Sequence, residues 1–150
     1  MFFPSIPAGK HPITRYMGRK AGGGHTLILI VEDDEALARL LKSLLDHAGY
    51  EAHVEHKGKP ALAFAAEHHP DLVILDLVLP DLSGYEVCAE LRRLDHPWVL
   101  PVVMLTALSQ PKNKLLGFSH GAEAYLMKPV ATSELLSTIE AMLSRVEPHS

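Results

Sequence analysis

From residue 26 onward the chain alternates between two hydrophobic periods, and that alternation confines it to a narrow class of folds. Short runs rich in Leu, Ile and Val over 26–31, 71–75 and 100–105, with 50–55 and 124–127, predict strands. Between and after them, apolar residues recur at helical spacing over 34–48, 59–68, 83–94, 111–120 and 132–146. In the first of these Leu37, Leu40, Leu41, Leu44, Leu45 and Ala48 share one face. Asp34 suits the N-cap of that helix, and Gly49 can close it in the left-handed conformation. Ser83 and Glu86 have the spacing of a capping box, Pro70 stops the second helix, Gly121 ends the fourth, and Thr132 or Ser133 caps the last.

Five strand–helix units in succession imply an α/β fold: a doubly wound five-stranded parallel sheet with helices on both faces. Sheets of this kind bind ligands beyond the carboxyl ends of their strands, near the point where strand order reverses. With 150 residues there is room for one domain and a core, but little else. The single cysteine, Cys88, excludes an internal disulfide and a Cys-rich metal framework. It reads as a small buried side chain in the third helix. No apolar run approaches the roughly 18 residues of a membrane helix.

Net charge is −4, which disfavours nonspecific nucleic-acid binding. The charge is unevenly placed, because residues 1–24 carry Lys10, Arg15, Arg19 and Lys20 and no acid, leaving −8 on the remainder. Residues 1–24 are rich in Pro and Gly, show no period, and predict a flexible tail without the apolar core of a signal peptide. Met17 offers an alternative start of translation. The expected organisation is this tail, a domain over 25–147, and a short end at 148–150.

The residues just after the strands carry the chemistry. Glu32, Asp33 and Asp34 follow the first strand, Asp76 the third, Thr106 and Ala107 the fourth, and Lys128 and Pro129 the fifth. Two carboxylates about 4 Å apart repel by about 4 kcal/mol at an effective dielectric of about 20. A cluster of Glu32, Asp33 and Asp76 therefore calls for protonation or a cation. Hard oxygen donors suit Mg²⁺, which keeps waters and accepts phosphate oxygens. A carboxylate with no other task could then attack phosphorus, with a lysine and a hydroxyl stabilising the transferred oxygens.

The segments LILIVEDD (27–34), PDLVILDLVLP (70–80), VVMLTA (102–107) and GAEAYLMKP (121–129) resemble the receiver domain of two-component response regulators, in that family's order and spacing. The resemblance covers about 25–147 and implies a flavodoxin-like fold. It implies that Asp76 is the phosphoacceptor. It also implies Mg²⁺ held by Asp33 directly, by Glu32 through water, by Asp76, and by the backbone carbonyl of Val78. Thr106 would donate to a phosphoryl oxygen, Lys128 would pair with Asp76 or the phosphoryl group, and Thr106 and Tyr125 would form the switch. The Lys128–Pro129 peptide would be cis. Val130 departs from the phenylalanine often found there. Val78 and Leu108 are apolar at two positions that modulate the hydrolytic water, which implies slow phosphate loss.

The implied protein is a cytoplasmic signalling phosphoacceptor rather than an enzyme, one that promotes its own phosphotransfer and dephosphorylation. Its expected partners are a sensor histidine kinase or histidine phosphotransfer protein and a downstream protein target. No output domain, direct DNA binding or membrane association is expected, and the chain is expected to be a monomer or weak dimer. Two rivals come from other classes. A haloacid-dehalogenase-like phosphatase shares the aspartyl phosphate but needs an aspartate at the position of Val78. A receiver-like docking module would not need Glu32, Asp33, Asp76, Thr106 and Lys128 together.

Taken singly, these residues have plain structural readings. A Glu-Asp-Asp run is usually a solvated turn, Thr106 could cap a loop, and Tyr125 could be a static half-buried ring. Pro80 and Gly84 more simply shape the turn after Asp76. Among ten histidines the close pairs are His53 with His56 and His68 with His69. Residues 53 and 56 of one strand face opposite ways, so solvent-facing histidines are expected rather than a zinc site. Trp98 is expected to pack in a loop.

Overall fold

The computed structural model describes residues 26–94, 100–107 and 121–145. Five strands, β1 (Leu27–Val31), β2 (Glu51–Glu55), β3 (Leu72–Leu75), β4 (Val102–Thr106) and β5 (Ala124–Met127), form one sheet in the order β2-β1-β3-β4-β5. Every neighbouring pair is parallel. Four helices are described: α1 (Glu35–His47), α2 (Gly58–His68), α3 (Gly84–Leu94) and α4 (Thr132–Arg145). The helix expected over 111–120, the tail over 1–24 with Met17, and Trp98 and Leu108 lie outside the described residues.

Strand alternation divides the core in two. Leu29, Val31, Val73, Leu75, Val102, Met104 and Tyr125 face one way and pack with Ala61 and Ala65 of α2 and with Val87, Cys88 and Leu91 of α3. Ile28, Ile30, Leu72, Ile74, Val103 and Leu105 face the other way, against Leu41 and Leu45 of α1 and Leu135, Ile139 and Met142 of α4. Both faces are covered, so β1, β3 and β4 read as unbroken apolar runs rather than alternating ones. Each fully buried Leu, Ile or Val contributes about 1.5–3 kcal/mol relative to exposure. Cys88 is fully buried, and burial pushes its thiol up to about 11.

Local signals act largely as expected. The Leu37 N–H donates to Asp34 Oδ1 at 3.1 Å, and Gly49 adopts φ +96° after α1. The capping box is complete: Glu86 N–H donates to Ser83 Oγ at 3.1 Å, and Ser83 N–H to Glu86 Oε1 at 2.9 Å. Other details differ. Helix α2 begins at Gly58 rather than residue 59, and the residue in the cap position, Lys57, contributes no side-chain hydrogen bond. Its C-terminus closes on His69 at φ +52°, one residue before Pro70, where the helical region is disfavoured. In α4 the first helical carbonyl belongs to Ala131, which accepts from Leu135 N–H at 3.0 Å. The cap position is therefore Ala131, not Thr132 or Ser133.

One expectation about the histidines needs correcting. His53 is not simply solvent-facing: its ring stacks on Phe64 at 3.8 Å between centroids, and Phe64 stacks on His68 at 4.4 Å. His53 Nε2 also lies 2.7 Å from Glu55 Oε2.

Candidate functional site

The order reverses at β1 and β3, and the residues that leave these two strands are Glu32 and Asp76. The sheet fixes their backbones. Glu32 N–H donates to the Glu55 carbonyl at 3.0 Å, Asp76 N–H to the Val31 carbonyl at 3.0 Å, and Lys128 N–H to the Thr106 carbonyl at 2.9 Å. Each ladder thus runs one residue past its strand, so the site residues inherit the rigidity of the sheet. The Lys128–Pro129 peptide is cis.

Lys128 Nζ lies 2.7 Å from Glu32 Oε1 and 3.0 Å from Asp76 Oδ2. Glu32 Oε2 accepts from Asp34 N–H at 3.1 Å, and Asp76 Oδ1 from Val78 N–H at 3.3 Å. Glu32 and Asp76 are buried, whereas Asp33 is exposed at the mouth. One carboxylate oxygen from each of Glu32, Asp33 and Asp76 can be chosen so that all lie within 4.8 Å of one another.

Burial pushes the Glu32 carboxyl above its ordinary range, and the Asp76 charge adds to this, against the hydrogen bonds from Lys128 and Asp34. Burial alone would lower Lys128, but its hydrogen bonds to Glu32 and Asp76 outweigh it and hold the ammonium above the usual lysine range. Lys128 pairs with two of the three clustered carboxylates, so one ammonium stands against three acidic groups on hard oxygen donors. Those donors fit a small divalent cation such as Mg²⁺.

Thr106 is buried at the end of β4. Tyr125 is buried in the core face that carries α2 and α3, and burial, with Tyr85 and Asp76 nearby, raises its hydroxyl above the usual tyrosine range. Val78, in the loop that follows Asp76, is 59% exposed and pairs with Ser83 in an isolated antiparallel bridge. The structure therefore brings Glu32, Asp33, Asp76 and Lys128 together, with Val78 flanking Asp76 and Thr106 ending the adjacent strand.

Three neighbours were not singled out as site residues from the sequence. His56 Nδ1 lies 2.8 Å from the Glu32 carbonyl oxygen. The Asp81 carboxylate binds the start of α2, accepting from Gly58 N–H at 2.7 Å and Lys59 N–H at 2.8 Å. A signal for this existed: Lys57 is a poor cap, so the helix needed an acceptor from elsewhere. Gly84 lies against the Asp76 peptide, where an added Cβ would meet backbone atoms.

No helix among the described residues is long and apolar enough to cross a membrane. Residues 28–140 match the model of the response regulator receiver domain. The response regulator ArlR of Staphylococcus saprophyticus is 41% identical over 120 residues, which cover 80% of this chain and 53% of that protein. The DNA-binding dual master transcriptional regulator RpaA of Synechocystis is 42% identical over 120 residues, 80% of this chain and 50% of that protein. The chain thus spans about half the length of these curated relatives. Among solved structures, a CheY-like receiver domain from Methanospirillum hungatei superposes with a TM-score of 0.77 at 32% identity, covering 82% of this chain and 97% of that one. A response regulator structure from Chloroflexus aurantiacus gives 0.74 at 38% identity, covering 81% and 98%. With its parallel sheet, its acidic switch point and these relatives, the chain belongs to the response regulator receiver family.

Proposed function

We propose that this chain accepts a phosphoryl group on Asp76 from the phosphohistidine of a sensor histidine kinase or histidine phosphotransfer protein. The observation that carries the reading is Lys128 held between Glu32 and Asp76, with Asp33 beside them at the mouth. An Asp76 Oδ attacks phosphorus, a P–O bond forms as the P–N bond breaks, and the imidazole nitrogen keeps the electron pair and takes up a proton. Mg²⁺, when bound, supplies neutralising charge to the phosphoryl oxygens. Asp33, Glu32, Asp76 and the Val78 carbonyl are the residues that would hold it.

Lys128 then exchanges its contact with the free carboxylate for one with the phosphoryl oxygens, and the Thr106 hydroxyl donates to another. Drawing Thr106 toward the phosphate makes room for Tyr125 and biases the face that includes β5 and α4 toward a second state. The same site supports slow autodephosphorylation.

A protein donor suits the surroundings. Leu40, Val78 and Met127 are exposed apolar residues. Leu40 lines a groove with Leu37, Leu44, Pro129 and Val130 that reaches Lys128. The switched face of the receiver domain would engage a downstream protein target or a further relay step.

The test is labelling with acetyl phosphate and with a phosphorylated kinase or phosphotransfer protein, with and without Mg²⁺. Mg²⁺-dependent, hydroxylamine-labile phosphate that disappears in Asp76→Asn is expected. Labelling that persists in Asp76→Asn would reject the assignment.

A further inference from the structure

We propose that Asp81 is a positioning residue for the divalent-cation site, acting through the loop that follows Asp76. This inference rests on the reading of the site given above. The loop leaves β3 at Asp76 and enters α3 at Gly84. Its ends are pinned to each other: Gly84 N–H donates to the Leu77 carbonyl at 2.7 Å, and Val78 bridges to Ser83. Asp81 ties its outer part to a different element.

Asp81 Oδ1 accepts from Gly58 N–H at 2.7 Å and from Leu82 N–H at 2.9 Å, while Oδ2 accepts from Lys59 N–H at 2.8 Å. The start of α2 is built to need this carboxylate. The first turn of any helix leaves N–H groups without an intrahelical acceptor. In α2 the donors at residues 58 and 59 both go to Asp81, residue 60 is a proline with no N–H, and Ala61 N–H already reaches the Lys57 carbonyl at 3.3 Å. No capping side chain comes from Lys57.

The approach is also close. A Cβ on Gly58 would lie 2.8 Å from Val87 Cγ2 of α3 and 3.1 Å from Leu82 Cβ of the loop, so a larger residue would push α2 away from both. Asp81 thereby couples a segment containing Val78, whose carbonyl is the proposed fourth protein donor, to a helix anchored in the core. Loss of a group that orients a metal ligand typically weakens metal binding by tenfold or more.

The experiment measures Mg²⁺ affinity of the full chain by calorimetry, with hydrogen exchange of the amides over 77–83, in four forms: unaltered, Asp81→Ala, Asp81→Asn, and Asp81→Ala with Lys57→Asp. The last gives α2 a local cap without restoring the tie to the loop. The expected result is Mg²⁺ binding weakened roughly tenfold in Asp81→Ala, with faster exchange over 77–83. Asp81→Asn, which keeps an acceptor oxygen, should recover part of the affinity, and the Lys57→Asp addition should recover none.

Equal weakening in Asp81→Ala and Asp81→Asn would assign the effect to charge and overturn the proposal. Recovery by Lys57→Asp would assign it to helix stability and do the same. An unaltered chain that binds Mg²⁺ while Asp81→Ala binds it equally well overturns this inference alone. An unaltered chain that ignores Mg²⁺ overturns the reading of the site as well. Should Asp81→Ala not fold, the comparison of Asp81→Asn with the unaltered chain decides, since unchanged exchange over 77–83 and unchanged affinity there also reject the role.

Discussion

Gly84 stands so close to Asp76 that a Cβ on it would lie 2.6 Å from the Asp76 carbonyl oxygen and 2.7 Å from Leu77 Cα. Both obstacles are backbone, so no side-chain rotation relieves them. Gly84→Ala must therefore move the peptide that follows the proposed phosphoacceptor. Overpacking of this kind costs about 1–3 kcal/mol, and a misplacement of about 1 Å at a reacting group can cost about a hundredfold in rate. The expected outcome is a folded variant with a lower urea midpoint and acetyl phosphate labelling slowed at least tenfold. Labelling at the unaltered rate would show that the Asp76 backbone tolerates displacement.

On the proposed reading, Lys128 and Mg²⁺ would neutralise the same oxygens, which separates two effects of removing the lysine. Nζ sits 2.7 Å from Glu32 and 3.0 Å from Asp76, with the Lys128 side chain 21% exposed. Lys128→Met deletes a competitor for those carboxylates, so Mg²⁺ binding should be as tight as before or tighter. It also deletes the ammonium proposed to stabilise the transferred phosphoryl group, so labelling should fall by tenfold or more, as for other removed transition-state donors. Calorimetry and a labelling time course on the same preparation check both. Weaker Mg²⁺ binding together with normal labelling would contradict the assignment of Lys128. Chelation of Mg²⁺ in the unaltered chain should abolish labelling while leaving the chain folded, because Lys128 already offsets part of the repulsion.

Much of this arrangement was legible in the residue order because it is written in local signals. Strand positions follow from apolar runs, and the site residues stand directly after those runs, so placing the strands placed Glu32, Asp76, Thr106 and Lys128 at the carboxyl ends of the strands. Asp34 with Leu37 and Ser83 with Glu86 were readable for the same reason: donor and acceptor are three residues apart. What was missed depends on contacts between distant segments. Asp81 caps a helix that begins 23 residues earlier, and no local pattern marks such a partner except the poor cap at Lys57. The stack of His53, Phe64 and His68 joins a strand to the following helix. Ring stacking leaves no periodic trace.

Arg92 closes the opposite end of the sheet, and its environment gives a stability test free of the site. Its Nε and Nη2 donate to the Gly121 carbonyl at 3.1 and 2.6 Å, Nη1 donates to the Leu100 carbonyl, and Nη2 lies 3.1 Å from Glu123 Oε1. Glu123 Oε1 in turn accepts from Val102 N–H at 2.8 Å. Gly121 has φ +106°, and a Cβ there would lie 2.6 Å from Arg92 Nε. Gly121→Ala combines backbone strain with displacement of the guanidinium, so a loss of about 1–3 kcal/mol is expected. Urea unfolding measures it, and Mg²⁺ affinity should be unchanged. A neutral effect on stability would mean that the Arg92 network adjusts without cost.

The Asp81 cap also carries a pH signature. The Lys59 N–H hydrogen bond, with that of Gly58, holds its carboxyl below the ordinary value of 3.8 despite some desolvation. A carboxyl lowered in the folded state binds its proton more readily in the unfolded chain, so stability rises with pH across the window between the two values. The contribution is complete above 3.8 and is lost as pH falls through the folded value. Asp81→Asn cannot titrate. The difference in urea midpoint between the unaltered chain and Asp81→Asn should therefore be constant from neutral pH down to about pH 4 and shrink below it. Measured in chelator, the comparison involves no metal. A difference that stays constant through acid would show that the carboxylate charge does not hold the start of α2, and that the contacts to Gly58 and Lys59 serve equally well with a neutral side chain.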